Sequence, residues 1–166
     1  MSLPQESLTD LCLAKLLTIP TLILSVLFIY LCWGAQAEFA VEKQTAPAQE
    51  YPKTYDSVVA AVQTGAAQSV FLPEEFTGAE DYTLVSVQVT MHNRGALPLE
   101  WVTCEYVPGD GDVAVYEIEG LPADIGSDQD AVFYVRLIRK NGGTGAGGHA
   151  QITYYVAGQA VVKTVE

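Results

Sequence analysis

The feature that most constrains this chain is an uncharged apolar run from residue 16 to residue 35, LLTIPTLILSVLFIYLCWGA. A helix of that length rises about 30 Å, which matches the hydrocarbon thickness of a bilayer. Tyr30 and Trp33 lie near the C-terminal end of the run, where amphipathic rings favour the headgroup level. The run therefore predicts a transmembrane helix or uncleaved signal anchor at 16–35, with the lipid bilayer as its partner.

The tripeptide AQA at 35–37 has the small-x-small pattern that signal peptidase recognises, so a signal peptide cleaved after Ala37 is the alternative to an anchor. A secretory signal has a basic start and a shorter apolar stretch, whereas residues 1–15 carry one Lys against two carboxylates. The anchor is therefore favoured. Both alternatives place residues from 38 onward outside the cytoplasm, in a single-pass cell-membrane protein or in a secreted one.

The chain is strongly acidic, since 20 Asp and Glu against 8 Lys and Arg give a net charge of −12. Such a surface repels phosphate backbones, so nucleic acid is not expected as a partner. It also repels anionic lipid headgroups, so contact with the bilayer has to come from the apolar run. The acidity is typical of an exposed domain that must stay soluble.

The three cysteines cannot supply a disulfide within the folded domain. Cys12 and Cys32 lie in or beside the apolar run, which leaves Cys104 alone in the rest of the chain. The fold must therefore depend on its hydrophobic core. Cys104 alternates with apolar residues in WVTCEYV and is interpreted as a buried core thiol, with a bridge between two chains as the alternative.

The chain has room for one domain of about a hundred residues beyond the apolar run. Residues 1–15 are predicted to form a short N-terminal tail. Residues 36–57, rich in Ala, Gln, Glu and Pro, are predicted to form a polar stalk that lifts the domain off the membrane. Residues 58–166 are predicted to form the folded domain, and no internal repeat divides them.

The start of the folded domain has two interpretations. The stretch from Asp56 to Gln63 suits a short helix with Asp56 as N-cap, ended by Gly65. An edge strand at 67–72, AQSVFL, is equally compatible with the residue types.

Short segments of alternating apolar and polar residues, separated by turn residues about every 8 to 12 positions, follow from residue 82 onward. The last two are joined so tightly at Gly158 that they should pair as a hairpin. The pattern predicts an all-β fold, a seven-stranded immunoglobulin-like β-sandwich preceded by a single N-terminal transmembrane helix. The predicted strands are 68–72, 82–92, 99–107, 113–119, 131–139, 150–157 and 159–165.

Three turn motifs follow these strands: Asn93-Arg94-Gly95, Pro108-Gly109 and LPADIG at 121–126. With them, residues 80–165 resemble the immunoglobulin-like modules of bacterial and archaeal surface proteins, of the cell-adhesion-related and conserved-repeat types. The sequence departs from that pattern before the middle strand, where DIGSDQD replaces the usual Pro-Gly. The resemblance implies a fold and a surface setting. A second likeness is to accessory proteins of surface filaments, which join one N-terminal helix to a β-sandwich.

The glycine-rich stretch 141–149, NGGTGAGGH, contains a G-x-G-x-x-G pattern at Gly143, Gly145 and Gly148. A dinucleotide-binding fingerprint needs a helix after this pattern, because the helix N-terminus faces the pyrophosphate. Here a β-branched and aromatic segment comes next, so a strand is expected instead. The stretch is interpreted as a flexible loop between two strands that a partner could order.

Metal binding has little support, and no catalytic residue, metal ligand or cofactor is predicted. Paired loops of extracellular sandwiches can supply the oxygen ligands that calcium prefers, but Asp and Gly also form ordinary turns. His92 and His149 have no second His or Cys at zinc-ligand spacing. The acidic loop residues that remain as calcium candidates are Asp110, Asp112, Asp124, Asp128 and Asp130.

Aromatic and basic side chains on the predicted strands are the candidates for contact with a partner protein. In the adjacent pairs FY at 133–134 and YY at 154–155, one ring should face the core and its neighbour the outside. Outward Tyr residues anchor interfaces well. RLIRK at 136–140 is the one basic cluster of an acidic domain, and is either a docking edge or a charged sheet edge. The candidate contacts are Tyr134, Arg136, Arg139, Lys140 and Tyr155.

Three functions are compatible with this sequence. The favoured hypothesis is a non-enzymatic, membrane-anchored binding or scaffolding module outside the cytoplasm, an accessory subunit of a cell-surface or envelope assembly. Its partners would be other envelope or surface proteins or copies of itself. The alternative is a secreted or pilin-like surface-filament protein whose N-terminal helix is processed or packed. A hydrolase or metal-dependent enzyme is the remote alternative, since no motif supports it.

Overall fold

A computed structural model of the protein describes residues 18–29, 37–72, 75–143 and 147–166. Residues 18–29 are helical and are called α1 here. Eight large apolar side chains of α1 are between 50 and 67% exposed, and they lie on every side of the helix. The Ser25 hydroxyl donates a 2.8 Å hydrogen bond to the Thr21 carbonyl one turn earlier, so this polar group is satisfied within the helix.

The transmembrane prediction for 16–35 falls only partly on described residues. None of the helices in the described ranges combines the length and the apolarity needed to cross a membrane. Residues 16–17 and 30–35, including Tyr30 and Trp33, lie outside the described residues.

The described residues from 37 onward form a β-sandwich of eight strands and one α-helix. Two 3-10 turns, Ala48–Glu50 and Ala79–Asp81, flank the region of the helix. The strands and helix, in chain order, are β1 (Ala37–Pro47), α2 (Pro52–Gln63), β2 (Ser69–Val70), β3 (Tyr82–Asn93), β4 (Glu100–Val107), β5 (Asp112–Glu119), β6 (Asp130–Lys140), β7 (His149–Val156) and β8 (Gln159–Val165).

The strands form two antiparallel sheets that face each other. One has the order β1-β3-β6-β5-β2 and the other the order β4-β7-β8. Because β3 alternates with period two, its odd-numbered side chains from Val85 to Met91 point between the sheets. They meet inward side chains of the smaller sheet and complete the main core, which includes Val102, Tyr106, Ile152 and Tyr154.

The predicted polar stalk at 36–57 is wrong, because residues 37–47 form β1 and pair with β3 over their whole length. Every second side chain at the start of β1 is apolar: Ala37, Phe39 and Val41 pack against the main core. The Phe39 ring lies 6.4 Å from the Tyr154 ring of the opposite sheet. The residues predicted to separate the domain from the membrane are therefore part of the domain.

The helix interpretation of the next segment is confirmed, but its start is wrong. α2 begins at Pro52, four residues before the predicted N-cap Asp56, because proline suits the first turn of a helix. The helix ends before Gly65, whose φ of 72° is the left-handed conformation that glycine supplies after a C-cap.

A second hydrophobic cluster lies where α2 covers the outer face of the larger sheet. Tyr55 and Val58 of α2 are buried against Tyr82, Leu84 and Ile138. The Tyr55 and Tyr82 rings have centroids 5.7 Å apart. This contact explains why α2 lies on the sheet, since the apolar stripe of a short helix needs a partner surface.

Of the seven predicted strands, six occur within about one residue of their predicted bounds, namely β3 to β8. The hairpin at Gly158 is confirmed: Ala157 and Gly158 have φ of 48° and 78°, as a tight turn of the mirror-image type requires. The strand predicted at 68–72 is only the two-residue β2, and it pairs with β5. The first long strand is β1, which the prediction missed.

The position of β1 in the core gives a testable difference between two of its side chains. Replacing Phe39 with Ala should lower the free energy of unfolding by about 2 kcal/mol, because it removes a half-buried ring from the contact with Tyr154. The matched control is Glu42→Ala, at an exposed position of the same strand. Urea unfolding of the full chain in mild detergent measures both, and equal stability of the two variants would contradict the assignment of β1.

Candidate functional site

The sandwich has two ends with different chemistry. The proximal end is the one at which β1 begins: Ala37 pairs with Asn93, and the loops 94–99 and 120–129 lie beside this pair. The turn at 157–158 joins β7 to β8 at the same end. The distal end holds the turn between β4 and β5, with Gly143 and Gly148 beside it.

The proximal end carries an exposed aromatic patch, formed by Trp101 and Tyr155. Trp101 is 75% exposed and Tyr155 is 39% exposed, on the outer face of the smaller sheet. Glu100 pairs directly with Tyr155, and together with Gly158 these residues line a shallow cavity of about 350 Å³. Two amphipathic rings and one carboxylate therefore point into the surroundings at this end.

A β-bulge in β4 turns the side chain of Trp101 outward. Glu100 is opposite Tyr155 and Thr103 is opposite Thr153, so one extra residue is inserted into β4 between these pairs. Trp101 has a φ of 56°, a conformation that is strained for a bulky residue. The bulge keeps Val102 in the core while it turns the indole ring outward.

The bulge is held by the loop between β5 and β6. The Trp101 N–H donates to the Asp124 carboxylate at 2.9 Å, and the Val102 N–H donates to the Ala123 carbonyl at 2.8 Å. Leu99 and Ile125 pair as an isolated bridge beside these bonds. The loop therefore covers the edge of β4 and fixes the position of Trp101.

Arg136 and Tyr134, two of the candidate partner contacts, lie together on the outer face of the larger sheet. Arg136 forms ion pairs with Glu117 and Glu119, the latter at 2.7 Å, and its guanidinium lies 5.8 Å from the centre of the Tyr134 ring. Arg136 also lines a cavity of about 330 Å³ between this face and Tyr51 at the start of α2. This surface is a second candidate for contact with a protein.

Arg139 and Asp112, predicted as a partner contact and a calcium candidate, instead bind each other at the distal end. Asp112 has a fully buried side chain, and its Oδ1 accepts a 2.7 Å hydrogen bond from Arg139 Nε. Its Oδ2 accepts from the Tyr106 hydroxyl at 3.1 Å and from the Gly109 N–H at 2.7 Å. The hydrogen bond from Arg139 to Asp112 raises the pKa of Arg139 above its usual value.

The other calcium candidates are separated by the fold. Asp124 binds the backbone of the Trp101 bulge, and Asp128 and Asp130 lie beside His92 at the proximal end, with His92 Nδ1 2.7 Å from Asp130 Oδ1. Asp110 lies in the distal turn. In the part of the chain that the structure describes, no three His, Cys, Asp or Glu side chains are arranged to hold a metal ion.

The five predicted partner contacts do not form one surface. Tyr134 and Arg136 lie on the outer face of the larger sheet, whereas Tyr155 lies on the outer face of the smaller one. Lys140 is exposed at the distal end, where its backbone N–H binds the Gly111 carbonyl. Of the predicted set, only Tyr155 belongs to the aromatic patch, and Trp101 was not in the set.

The glycines around the predicted G-x-G-x-x-G pattern have a packing role where they are described. A Cβ atom at Gly148 would come within 2.6 Å of Asp112 Oδ2, and one at Gly143 within 2.8 Å of the Asp110 carbonyl oxygen. Gly145 lies outside the described residues. The chain around Gly143 and Gly148 therefore lies directly against the distal turn and its buried carboxylate, which only glycine permits.

The buried ion pair and the exposed one give opposite expectations for matched substitutions. Arg139→Met should lower the free energy of unfolding by about 3 kcal/mol, because it leaves the Asp112 carboxylate buried without its charged partner. Arg136→Met should cost less than about 1 kcal/mol, because its carboxylate partners are half exposed. Urea unfolding in mild detergent compares the two, and a larger loss for Arg136→Met would contradict this assignment.

The environment of Cys104 predicts low reactivity. Burial raises the pKa of the Cys104 thiol to about 11. Since only the thiolate reacts, and two pKa units remove about 99% of it at neutral pH, alkylation should slow by about 100-fold. Iodoacetamide labelling of a Cys12→Ser, Cys32→Ser variant, followed by mass spectrometry at pH 8, measures this rate. The same variant in urea is the control, and equal rates in both conditions would show that the thiol is accessible.

The comparisons with known proteins find distant structural similarity and no family. No protein-family model matches the chain, and no curated protein matches it. The chain is similar to the GAE domain of GGA2p from Saccharomyces cerevisiae, at a TM-score of 0.36 and 8% identity, over 58% of this chain and 92% of that one. It is also similar to an uncharacterized β-sandwich protein from Clostridium difficile 630, at 0.29 and 6%, over 79% and 86%. Both are β-sandwiches, and likeness at this level carries no argument about the fold or the function of this chain.

Proposed function

We propose that this chain is a non-enzymatic, membrane-anchored binding or scaffolding module that lies outside the cytoplasm, an accessory subunit of a cell-surface or envelope assembly. The observation that carries the proposal is the contrast between α1 and the β-sandwich. α1 exposes apolar side chains on every side, whereas residues from Ala37 onward bury theirs in two cores. A helix that is apolar all round is stable inside a membrane or another apolar environment.

The immunoglobulin-like arrangement is part of this proposal, and the strand order supports it. In constant-type immunoglobulin sandwiches, strands A, B, E and D form one sheet and strands C, F and G the other. The orders β1-β3-β6-β5 and β4-β7-β8 correspond to these sheets when the long strands are lettered along the chain. The short β2 is then an added edge beside β5. Modules of this architecture commonly bind proteins through their sheet faces and end loops.

The outer face of the larger sheet supports the binding role. Arg and Tyr are enriched at protein interfaces, where they anchor the contact. Arg136 and Tyr134 occupy this face, and Glu117 and Glu119 fix the guanidinium in position. A partner with acceptor groups or an aromatic ring at this point would meet a preorganised arginine.

The secreted alternative has one specific observation in its favour. Ala37 is the first residue of β1, so cleavage after Ala37 would leave Glu38 as the first residue and every later pair of β1 intact. The membrane-anchored and secreted alternatives therefore differ only in the fate of the segment before residue 38.

Extraction and N-terminal sequencing from the native membrane fraction test the proposal. We expect a chain that retains residues 16–35 and leaves the membrane only in detergent, because the apolar run stays in the bilayer. The control is Ala35→Leu, which removes the small-x-small pattern and should change nothing in an anchored protein. A chain that begins at Glu38, washes off in buffer and becomes membrane-bound in the Ala35→Leu variant would contradict the anchor and establish the secreted alternative.

A further inference from the structure

We propose that the proximal end of the sandwich rests on the bilayer surface, with Trp101 and Tyr155 at the level of the lipid headgroups. This inference rests on the proposed function, since it takes residues 16–35 as a membrane anchor. It adds a second contact with the lipid, made by the folded domain, and an orientation of the domain relative to the membrane.

The length of chain between the apolar run and the sandwich sets the first constraint. The run ends at Ala35 and β1 begins at Ala37, so only residue 36 separates them. Extended chain spans at most about 3.5 Å per residue, which keeps Ala37 within about 7 Å of the end of the run. With the run in the bilayer, the proximal end has no linker that could lift it away from the headgroups.

Contacts between the two sheets place the aromatic patch at the same level as Ala37. The backbone of Ala37 lies within hydrogen-bonding reach of the Tyr154 hydroxyl, and Tyr154 is the neighbour of Tyr155 on β7. The Phe39 and Tyr154 rings also pack against each other. The residue at which the chain leaves the membrane and the exposed rings of the smaller sheet therefore belong to one packed unit.

The buried side chain of Asn93 joins the loops of this end. Its Nδ2 donates to the carbonyls of Leu97, Ile125 and Gly126 at 2.9 to 3.1 Å, and so joins the two proximal loops. Asn93 itself pairs with Ala37. Since the same loop holds the backbone of the Trp101 bulge through Asp124, this backbone is connected to the start of β1 through Asn93.

The chemistry of the displayed rings favours a lipid surface. Trp and Tyr combine an apolar ring with one polar group and are enriched where bilayer meets water. The positive φ of Trp101 is strained for a bulky side chain, and such strain concentrates at functional positions. If the indole ring stays in water, nothing offsets this strain. At the headgroup level the ring is buried, and its burial offsets the strain.

The charge of the proximal loops determines which lipid headgroups this end can approach. Asp124, Asp128 and Asp130 lie on this end, and Glu100 lines the aromatic patch, whereas Arg94 is paired with Glu38. Carboxylates are repelled by anionic headgroups within a Debye length of the surface. The surface that fits this end is therefore a zwitterionic one, such as phosphatidylcholine.

Tryptophan fluorescence of the full chain in vesicles tests the inference. The chain has two tryptophans, so Trp33→Phe leaves Trp101 as the only one. The variant is reconstituted into phosphatidylcholine vesicles that carry a quencher either on the headgroup or deep in the acyl chain. We expect loss of most of the Trp101 emission with the headgroup quencher, a smaller loss with the deep quencher, and little quenching by acrylamide in the water.

A matched variant moves the probe to the distal end. It combines Trp33→Phe and Trp101→Phe with Glu166→Trp, just after β8. We expect acrylamide to quench this tryptophan and the labelled lipids to leave it unchanged. If the headgroup quencher acts equally on both variants, the domain does not stand on its proximal end and the inference is overturned.

Flotation of the same vesicles separates this inference from the proposed function. If the Trp33→Phe chain floats with the vesicles and Trp101 is quenched only by acrylamide, the anchor stands and the seating of the domain on the bilayer is overturned. If the chain does not float at all, the anchor itself is wrong and this inference is overturned with it. Flotation together with quenching by the headgroup label supports both.

Discussion

The two sheets depend on one buried carboxylate at the distal end. Asp112 accepts hydrogen bonds from Arg139 on β6, from Tyr106 on β4 and from the backbone of Gly109, so it joins both sheets and the turn between them. A buried ionised group is costly unless its partners are all present. The distal end is therefore well defined only when these strands are in register. At the proximal end, the amide of Asn93 joins the two loops in a similar way.

Local pattern was sufficient for much of this fold, and long-range pairing decided the rest. The period-two alternation of β3 and the tight turn at Gly158 predicted elements that the structure contains. β1 was missed because its Ala, Gln and Glu residues have low β propensity, and only pairing with β3 makes them a strand. Asp112 was interpreted as a turn or calcium residue, since nothing near it in sequence indicates Arg139 as its partner.

For the aromatic patch too, local pattern predicts one part of the structure and long-range contacts determine the rest. Alternation in WVTCEYV predicts that Trp101 faces away from Val102, Cys104 and Tyr106, and its ring is exposed. The bulge that aims the ring depends on Asp124, which lies in a loop beyond the next strand, and no local signal predicts it. Because the domain begins at Ala37 and not at residue 58, one residue separates the end of the apolar run from β1 in the sequence.

The placement of β1 and β2 at opposite edges of the larger sheet also bears on how the chain folds. Both strands come from residues before 72, and their pairing partners, residues 83–93 of β3 and 114–115 of β5, come later in the chain. During synthesis the segment 37–70 emerges first and has to remain unpaired until β3 and β5 have been made. Non-local pairing of this kind slows folding and leaves strand edges exposed meanwhile. β1 is an edge strand that carries Lys43 and Pro47, and both disfavour pairing with the strand of another chain. The segment can therefore stay unpaired during synthesis without aggregating.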